Sequence, residues 1–103
     1  FACDASNCTG AFFIQPNSGD VSNVTVTGNL LRGNGYQLYL DYQPNTFAGM
    51  TYSNLRATNN RMTNTEYGAS YVRPGGPGWA QWDQNYVYKA SAVDGKGTLL
   101  ARP

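Results

Sequence analysis

Residues 22–40 read SNVTVTGNLLRGNGYQLYL, and a related stretch follows 31 residues later. That second stretch, residues 53–72, reads SNLRATNNRMTNTEYGASYV. The two share identical residues at matched positions, in the pairs Ser22/Ser53, Asn23/Asn54, Asn29/Asn60 and Tyr36/Tyr67. A repeat of this period indicates units that stack on one another, because a single unit cannot bury its own apolar face.

Short apolar and β-branched runs, separated by Gly, Pro and Asn, occur along the whole chain. Strands are predicted at 11–15, 21–27, 36–42, 50–58, 67–72 and 97–101. A third, partial copy of the repeat begins at 79–82. No window keeps the spacing of an amphipathic helix, so the sequence predicts an all-β chain. An antiparallel sandwich or barrel also suits short strands, but the 31-residue register argues against it.

Asn29, Asn60 and Asn85 hold the same break position in the three copies. Parallel stacking predicts Val24 and Val26 under Leu55 and Ala57, and Leu38 and Leu40 under Ala69 and Tyr71. The three asparagines would then lie one above another at a corner, in a left-handed conformation that Asn tolerates. Each buried amide needs donors and acceptors, which the neighbouring copies would supply as a ladder.

This punctuated pattern resembles the right-handed parallel β-helix, a solenoid typical of the pectate-lyase-like superfamily of secreted proteins. The resemblance covers about residues 11–101. It implies three to four coils with an Asn ladder over 11–103, after an N-terminal end segment at 1–10. The cap helix of that family has no counterpart here, so the resemblance implies the C-terminal coils of a longer protein or an unusually short solenoid.

Length and charge set limits on function. The 103 residues are enough for one domain, and 7 basic against 6 acidic residues give a net charge of +1. A chain so close to neutral lacks the basic stripe expected for nucleic acid or an anionic membrane. Charged residues make up only 13%, and a polarity supplied by Asn, Thr, Ser, Gly and Tyr is common in extracellular β-rich proteins. The sequence therefore predicts a secreted or extracellular protein.

Cys3 and Cys8 are the two cysteines of the chain. A local disulfide that pins the N-terminal segment agrees with an oxidising compartment. Two free or metal-bound thiols are the alternative, although no His and no second Cys pair exists to complete a zinc site.

Catalytic patterns are sparse. Without His there is no Ser-His-Asp triad. Asp41 and Glu66 would be offset by about 20 Å along the strand, too far for a catalytic carboxylate pair. Tyr39, Asp41, Tyr42 and Arg73 come nearest to the site of a lyase that acts on uronic acids. No Asp cluster has metal-ligand spacing, so no cofactor is predicted, with calcium as a weak alternative that the resemblance suggests.

Aromatic residues make up 14% of the chain, which points to a surface that contacts sugar rings. With Leu38 and Leu40 inward, Tyr39 and Asp41 would face outward, and so would Phe13 on the strand below. The candidate carbohydrate-binding residues are Phe13, Tyr39, Asp41, Tyr42, Arg73, Trp79 and Trp82. The alternative is that these side chains only cover loops and corners with amphipathic area.

The sequence thus predicts a secreted β-helix module that serves as a scaffold or contacts a polysaccharide. A polysaccharide lyase or glycoside hydrolase, with catalytic residues partly outside this chain, is one alternative. Another is a self-assembling structural protein, because the open ends of a short solenoid expose unpaired strand edges that favour head-to-tail stacking into filaments. Nucleic acid and membrane are not expected as partners.

Overall fold

The computed structural model describes the backbone of Ala2–Cys3 and all of residues 10–103. The described residues form thirteen short strands and one 3-10 turn, Val93–Gly95, with no α-helix among them. The strands are β1 Ala2–Cys3, β2 Gly10–Ile14, β3 Val21–Ser22, β4 Thr25–Thr27, β5 Leu30–Gly33, β6 Tyr36–Leu40, β7 Tyr52–Ser53, β8 Arg56–Thr58, β9 Arg61–Met62, β10 Ser70–Val72, β11 Gln81–Asp83, β12 Tyr86–Tyr88 and β13 Lys96–Leu99. The predicted disulfide lies outside the described residues, and so does most of the predicted end segment 1–10.

The all-β prediction is confirmed, and the strands pair mostly in parallel. Their orders are β1-β5-β9-β12-β13, β2-β6-β10, β4-β8-β11 and β3-β7. From β1 to β12, strands that follow one another along the chain therefore lie in different sheets, and each sheet collects the equivalent strand of each copy. No described helix has the length and apolarity needed to cross a membrane.

The register of the sheets reproduces the repeat. Val26 lies opposite Ala57 and Thr27 opposite Thr58, with the hydroxyl of Thr58 donating to that of Thr27 at 2.9 Å across a separation of 31 residues. Val26 and Ala57 are both buried, so stacking covers the apolar face that one copy leaves open. This is the physical reason that the sequence repeat predicts parallel pairing.

Left-handed residues make the corners between the strands. Gly28, Asn59 and Gln84 have φ angles of 70°, 56° and 56°, and each precedes an asparagine of the predicted ladder. The prediction that the ladder asparagines themselves adopt this conformation is wrong by one residue. The left-handed residue bends the chain from one sheet into the next, and the side chain that follows points into the interior.

A second corner divides strands that were predicted as continuous. Asn23 and Asn54 also have positive φ angles, 59° and 52°. The predicted strands at 21–27 and 50–58 are therefore each two short strands, β3 with β4 and β7 with β8. Their outward amides bond to each other, since Nδ2 of Asn54 donates to Oδ1 of Asn23 at 2.7 Å.

Asn29, Asn60 and Asn85, which follow the left-handed residues of the first corner, form a row of side-chain hydrogen bonds. Nδ2 of Asn29 donates to Oδ1 of Asn60 at 3.2 Å, and Nδ2 of Asn60 donates to Oδ1 of Asn85 at 2.9 Å. Asn60 and Asn85 are fully buried, so these hydrogen bonds replace the hydrogen bonds to water that both side chains lose on folding. We call these three residues the asparagine ladder.

The core runs between the sheets and contains Leu38, Leu40, Leu55, Ala57 and Met62, each with 0% of its surface exposed. One predicted register is wrong: Leu38 pairs with Ser70 and Leu40 with Val72, instead of with Ala69 and Tyr71. The cause is one additional residue between matched positions, because Ser70 follows Met62 by eight residues whereas Leu38 follows Leu31 by seven.

The final strand breaks the parallel order. β13 pairs antiparallel with β12, and the backbone N–H of Leu100 donates to the carbonyl of Asn85 at 2.7 Å. The predicted last strand at 97–101 thus exists in part, but it returns along its neighbour and does not begin another parallel copy.

Candidate functional site

The outward face of the β2-β6-β10 sheet carries a column of aromatic rings. Phe13 lies opposite Tyr39, and Tyr39 lies opposite Tyr71. The ring centroids are 5.0 Å apart for Phe13 and Tyr39 and 5.5 Å for Tyr39 and Tyr71, both in edge-to-face contact. In-register parallel strands place equivalent side chains above one another, and these three residues are called the aromatic column below.

Tyr36 broadens the aromatic column along the strand. Its ring stacks on that of Tyr71 at 5.1 Å with an angle of 19° between the planes, and it lies 5.6 Å from Tyr39. Phe13, at one end, is 43% exposed, and the tyrosines are half-buried. The result is a continuous aromatic surface with solvent on one side.

A second column lies two residues further along, directly after the ends of the same three strands. Gln15, Asp41 and Arg73 occupy equivalent positions, and Nε2 of Gln15 donates to Oδ2 of Asp41 at 2.7 Å. Nη1 of Arg73 forms an ion pair with Oδ1 of Asp41 at 2.9 Å. Nε2 of Gln43 also donates a hydrogen bond to Oδ2 of Asp41, at 2.7 Å. These four residues are called the polar column.

The neighbours of Asp41 decide its charge state. Burial acts to raise the pKa of Asp41, but hydrogen bonds from Gln15, Arg73 and Gln43 outweigh burial and hold the pKa below its ordinary value. The pKa of Tyr39 is raised, first by burial and then by the nearby Asp41 carboxylate. At neutral pH the site therefore presents an ionised Asp41 beside a protonated Tyr39.

We expect the Asp41 carboxylate to make stability depend on acid pH. Because its pKa is lower in the folded than in the unfolded chain, its contribution is complete above the unfolded value, about 3.9, and is lost as pH falls through the folded pKa. Urea unfolding at pH 7 and pH 2.5 should show the gap between wild type and Asp41→Asn closing at the lower pH. A gap that stays constant contradicts this account.

The structure brings four of the predicted candidates together: Phe13, Tyr39, Asp41 and Arg73. Asp41 was expected to face outward, yet only 3% of its surface is exposed. Alternation along β6 does direct it outward, but Gln15, Gln43 and Arg73 cover it. Its carboxylate therefore orients the exposed guanidinium and amides and is itself largely shielded from ligand.

Tyr42 lies at the edge of this surface. Its ring packs edge-to-face against buried Tyr52 at 6.2 Å. Beside it an open groove of about 320 Å³ runs between the loops that follow β6 and β10, lined by Tyr42, Gln43, Pro44, Asn45, Thr46, Arg73, Pro74 and Gly75. The groove extends the polar column towards the loops.

The two tryptophans do not belong to the surface. Trp79 is 2% and Trp82 7% exposed, and their rings pack against each other at 5.8 Å. Nε1 of Trp82 donates to the carbonyl of Leu100 at 2.9 Å. Both belong to the core near the C-terminal end, because their large apolar area covers the last copy of the repeat.

Four surface residues were absent from the sequence-based candidates: Tyr36, Tyr71, Gln15 and Gln43. Tyr71 was assigned to the interior through the one-residue register error. Ser70 follows Met62 by eight residues, against seven from Leu31 to Leu38, and the uniform 31-residue alignment carries no sign of this additional residue. No sequence signal distinguishes Gln43 from other loop amides.

Within residues 10–103, no group of three or more His, Cys, Asp or Glu side chains is placed to hold a metal ion. Comparison with models of known families, with curated proteins and with solved structures found no match. The pectate-lyase-like resemblance therefore stays a prediction.

Proposed function

We propose that the stacked strands are coils of a right-handed parallel β-helix, and that this module is secreted and contacts polysaccharide. The architectural part is supported by the parallel pairing of β4 with β8 and β8 with β11. Connections between parallel strands of one sheet are overwhelmingly right-handed. In this architecture the antiparallel β13 lies beside the last parallel strand of its sheet, β12.

The functional part rests on one observation, which is the aromatic column lying beside the polar column on a single face. Sugar rings present apolar C–H faces that pack on aromatic rings, and hydroxyls that bond to amides, carboxylates and guanidinium groups. Successive parallel strands repeat about every 4.8 Å, so Phe13, Tyr39 and Tyr71 offer contacts along the stack. A polysaccharide chain can follow this line of rings over several sugar units.

The lyase alternative receives less support from the site. A lyase needs a base that accepts a proton at working pH. The pKa of Tyr39 is raised and that of Asp41 is lowered, so at neutral pH Tyr39 holds its proton and Asp41 is a weak base. Hydrogen bonds from three side chains occupy the carboxylate of Asp41 as well.

Binding is tested with a panel of soluble neutral and uronate-containing polysaccharides, by affinity electrophoresis and calorimetry. Tyr39→Ala and Phe13→Ala should each weaken the binding of at least one polymer by about fivefold, the size of a lost aromatic contact. Tyr39→Phe keeps the ring and should bind almost as wild type.

Tyr88→Ala is the matched control. Tyr88 is an aromatic residue, 38% exposed, on β12 in a different sheet. If every polymer fails to bind, or if Tyr88→Ala weakens binding as much as Tyr39→Ala, the aromatic column is not the binding surface.

A further inference from the structure

A turn before β10 holds an exposed tyrosine, Tyr67, of whose surface 61% is open to solvent. The N–H of Tyr67 donates to Oγ1 of Thr65 at 3.3 Å, and the N–H of Gly68 donates to the carbonyl of Thr65 at 3.0 Å. Oγ1 of Thr65 donates in turn to the carbonyl of Gly35 in the preceding copy, at 3.2 Å. Tyr67 therefore stands on a turn that is hydrogen-bonded to the stack.

This turn lies against the aromatic surface. The ring centroids of Tyr67 and Tyr36 are 6.2 Å apart, with an angle of 57° between the planes. Gly68 has a φ angle of 111°, and a Cβ atom on it would lie 3.6 Å from Cε1 of Tyr36, so the backbone packs closely on that ring. Because Tyr36 also stacks on Tyr71, Tyr67 continues the aromatic surface on the side away from the polar column.

An open groove of about 420 Å³ adjoins Tyr67 and is lined by Asn34, Thr65, Glu66 and Tyr67. Glu66 is exposed, and no basic side chain among residues 10–103 forms an ion pair with it. The groove therefore places a carboxylate beside an exposed aromatic ring.

The charges on this face of the molecule do not balance. Asp41 and Arg73 offset each other at 2.9 Å, whereas Glu66 adds a negative charge without a partner. The other six basic residues belong to strands of other sheets or to the segments that follow them: Arg32, Arg56, Arg61, Lys89, Lys96 and Arg102. The surface thus carries one basic side chain against two acidic ones.

This charge pattern distinguishes two classes of polysaccharide. A neutral sugar unit packs its C–H face on a ring and donates its hydroxyl groups to a carboxylate, and such charge-assisted hydrogen bonds are the stronger kind. A uronate unit brings a carboxylate, which accepts hydrogen bonds only and is repelled by Glu66. Arg73 does not reverse this preference, because a carboxylate that approaches its guanidinium also approaches Asp41.

We infer that the surface takes a neutral polysaccharide, and that Tyr67 and Glu66 bind one of its sugar units. The ring of Tyr67 packs on the C–H face of that unit, and the carboxylate of Glu66 accepts its hydroxyl protons. This inference rests on the proposed polysaccharide binding and assigns to it a class of ligand and an additional contact.

The test compares uronate polymers with their own carboxyl-reduced forms, which keep the linkages and lose the charge. Polygalacturonate, alginate and glucuronan are each titrated in both forms against the full chain at pH 7, by calorimetry in low-salt buffer. Each polymer that binds should bind about fivefold more tightly in its reduced form. At about 1 M salt, where the Debye length is about 3 Å, the difference should shrink below about twofold.

Two substitutions separate the charge from the ring. Glu66→Gln should strengthen the binding of the uronate form about threefold, because the repulsion is removed. Asp83→Asn is the matched control, since Asp83 is an exposed acid on β11 in a different sheet, and it should change neither affinity. Tyr67→Ala should weaken the binding of the reduced form about fivefold, with urea unfolding unchanged, while Tyr67→Phe keeps the ring and binds almost as wild type.

The outcomes distinguish this inference from the proposed function. If a uronate form binds as tightly as its reduced form or more tightly, and Tyr39→Ala weakens that binding, the polysaccharide surface stands and the neutral class is wrong. If Tyr67→Ala binds as wild type while Tyr39→Ala does not, Tyr67 is no part of the surface and the inference is likewise overturned. If no polymer binds in either form, the proposed function fails and this inference fails with it.

Discussion

Replacing Asn60 with alanine is expected to lower the free energy of unfolding by about 3 kcal/mol. The side chain is fully buried. Its Nδ2 donates to the carbonyl of Val26 and to Oδ1 of Asn85, both at 2.9 Å, while its Oδ1 accepts from Asn29. Alanine removes all of these bonds, and the neighbouring polar groups stay in a place that water reaches poorly.

Two asparagines of the same chain serve as controls for this effect, measured by urea unfolding. Asn29→Ala should cost about 1 kcal/mol, because Asn29 is half-exposed and water can replace its partners. Asn64→Ala, at an exposed turn, should change stability by less than about 0.5 kcal/mol. If Asn60→Ala costs no more than Asn64→Ala, the ladder does not hold the copies together.

Trp82→Ala is expected to cost about 3–5 kcal/mol, the range for a buried large aromatic residue. Only 7% of Trp82 is exposed, its ring contacts Trp79, and its indole N–H bonds to Leu100. Alanine leaves a cavity and an unpaired carbonyl at the end of the stack. A domain of ordinary stability, about 5–15 kcal/mol, would lose a large part of its margin.

Trp82→Phe separates a core role from a role in binding. It keeps most of the apolar volume, so the variant should fold, with a smaller loss that urea unfolding measures. Its polysaccharide affinity should equal that of wild type, because Trp82 lies outside the aromatic column. Affinity that falls while stability is unchanged would return Trp82 to the binding surface and contradict its assignment to the core.

The sequence predicts those parts of the fold that the repeat controls. Matched asparagines at 29 and 60 predict parallel pairing in register, since identical side chains at a fixed spacing need identical surroundings. That logic identified the partner of Val26 correctly. It did not predict the antiparallel β13, because pairing inferred from a repeat is always parallel and in register.

The candidate site was harder to predict, because it depends on single-residue shifts and on exposure. One additional residue before β10 moves Tyr71 from the interior to a place above Tyr39. The tryptophans carry the same sequence signal whether they bind sugar or fill the core, and burial alone distinguishes the two. The shielding of Asp41 depends on Gln15, Gln43 and Arg73, which come from three separate stretches.

In-register parallel stacking of equivalent strands places the aromatic column, and inter-strand nuclear Overhauser effects among β4, β8 and β11 test this stacking most directly. Parallel pairing predicts contacts between the amide and α protons of Thr25–Thr27 and those of Arg56–Thr58, in the register Val26 to Ala57. A second set should join Ala57 to Trp82. Strong contacts between α protons across these strands, which are the mark of antiparallel pairing, would contradict the account.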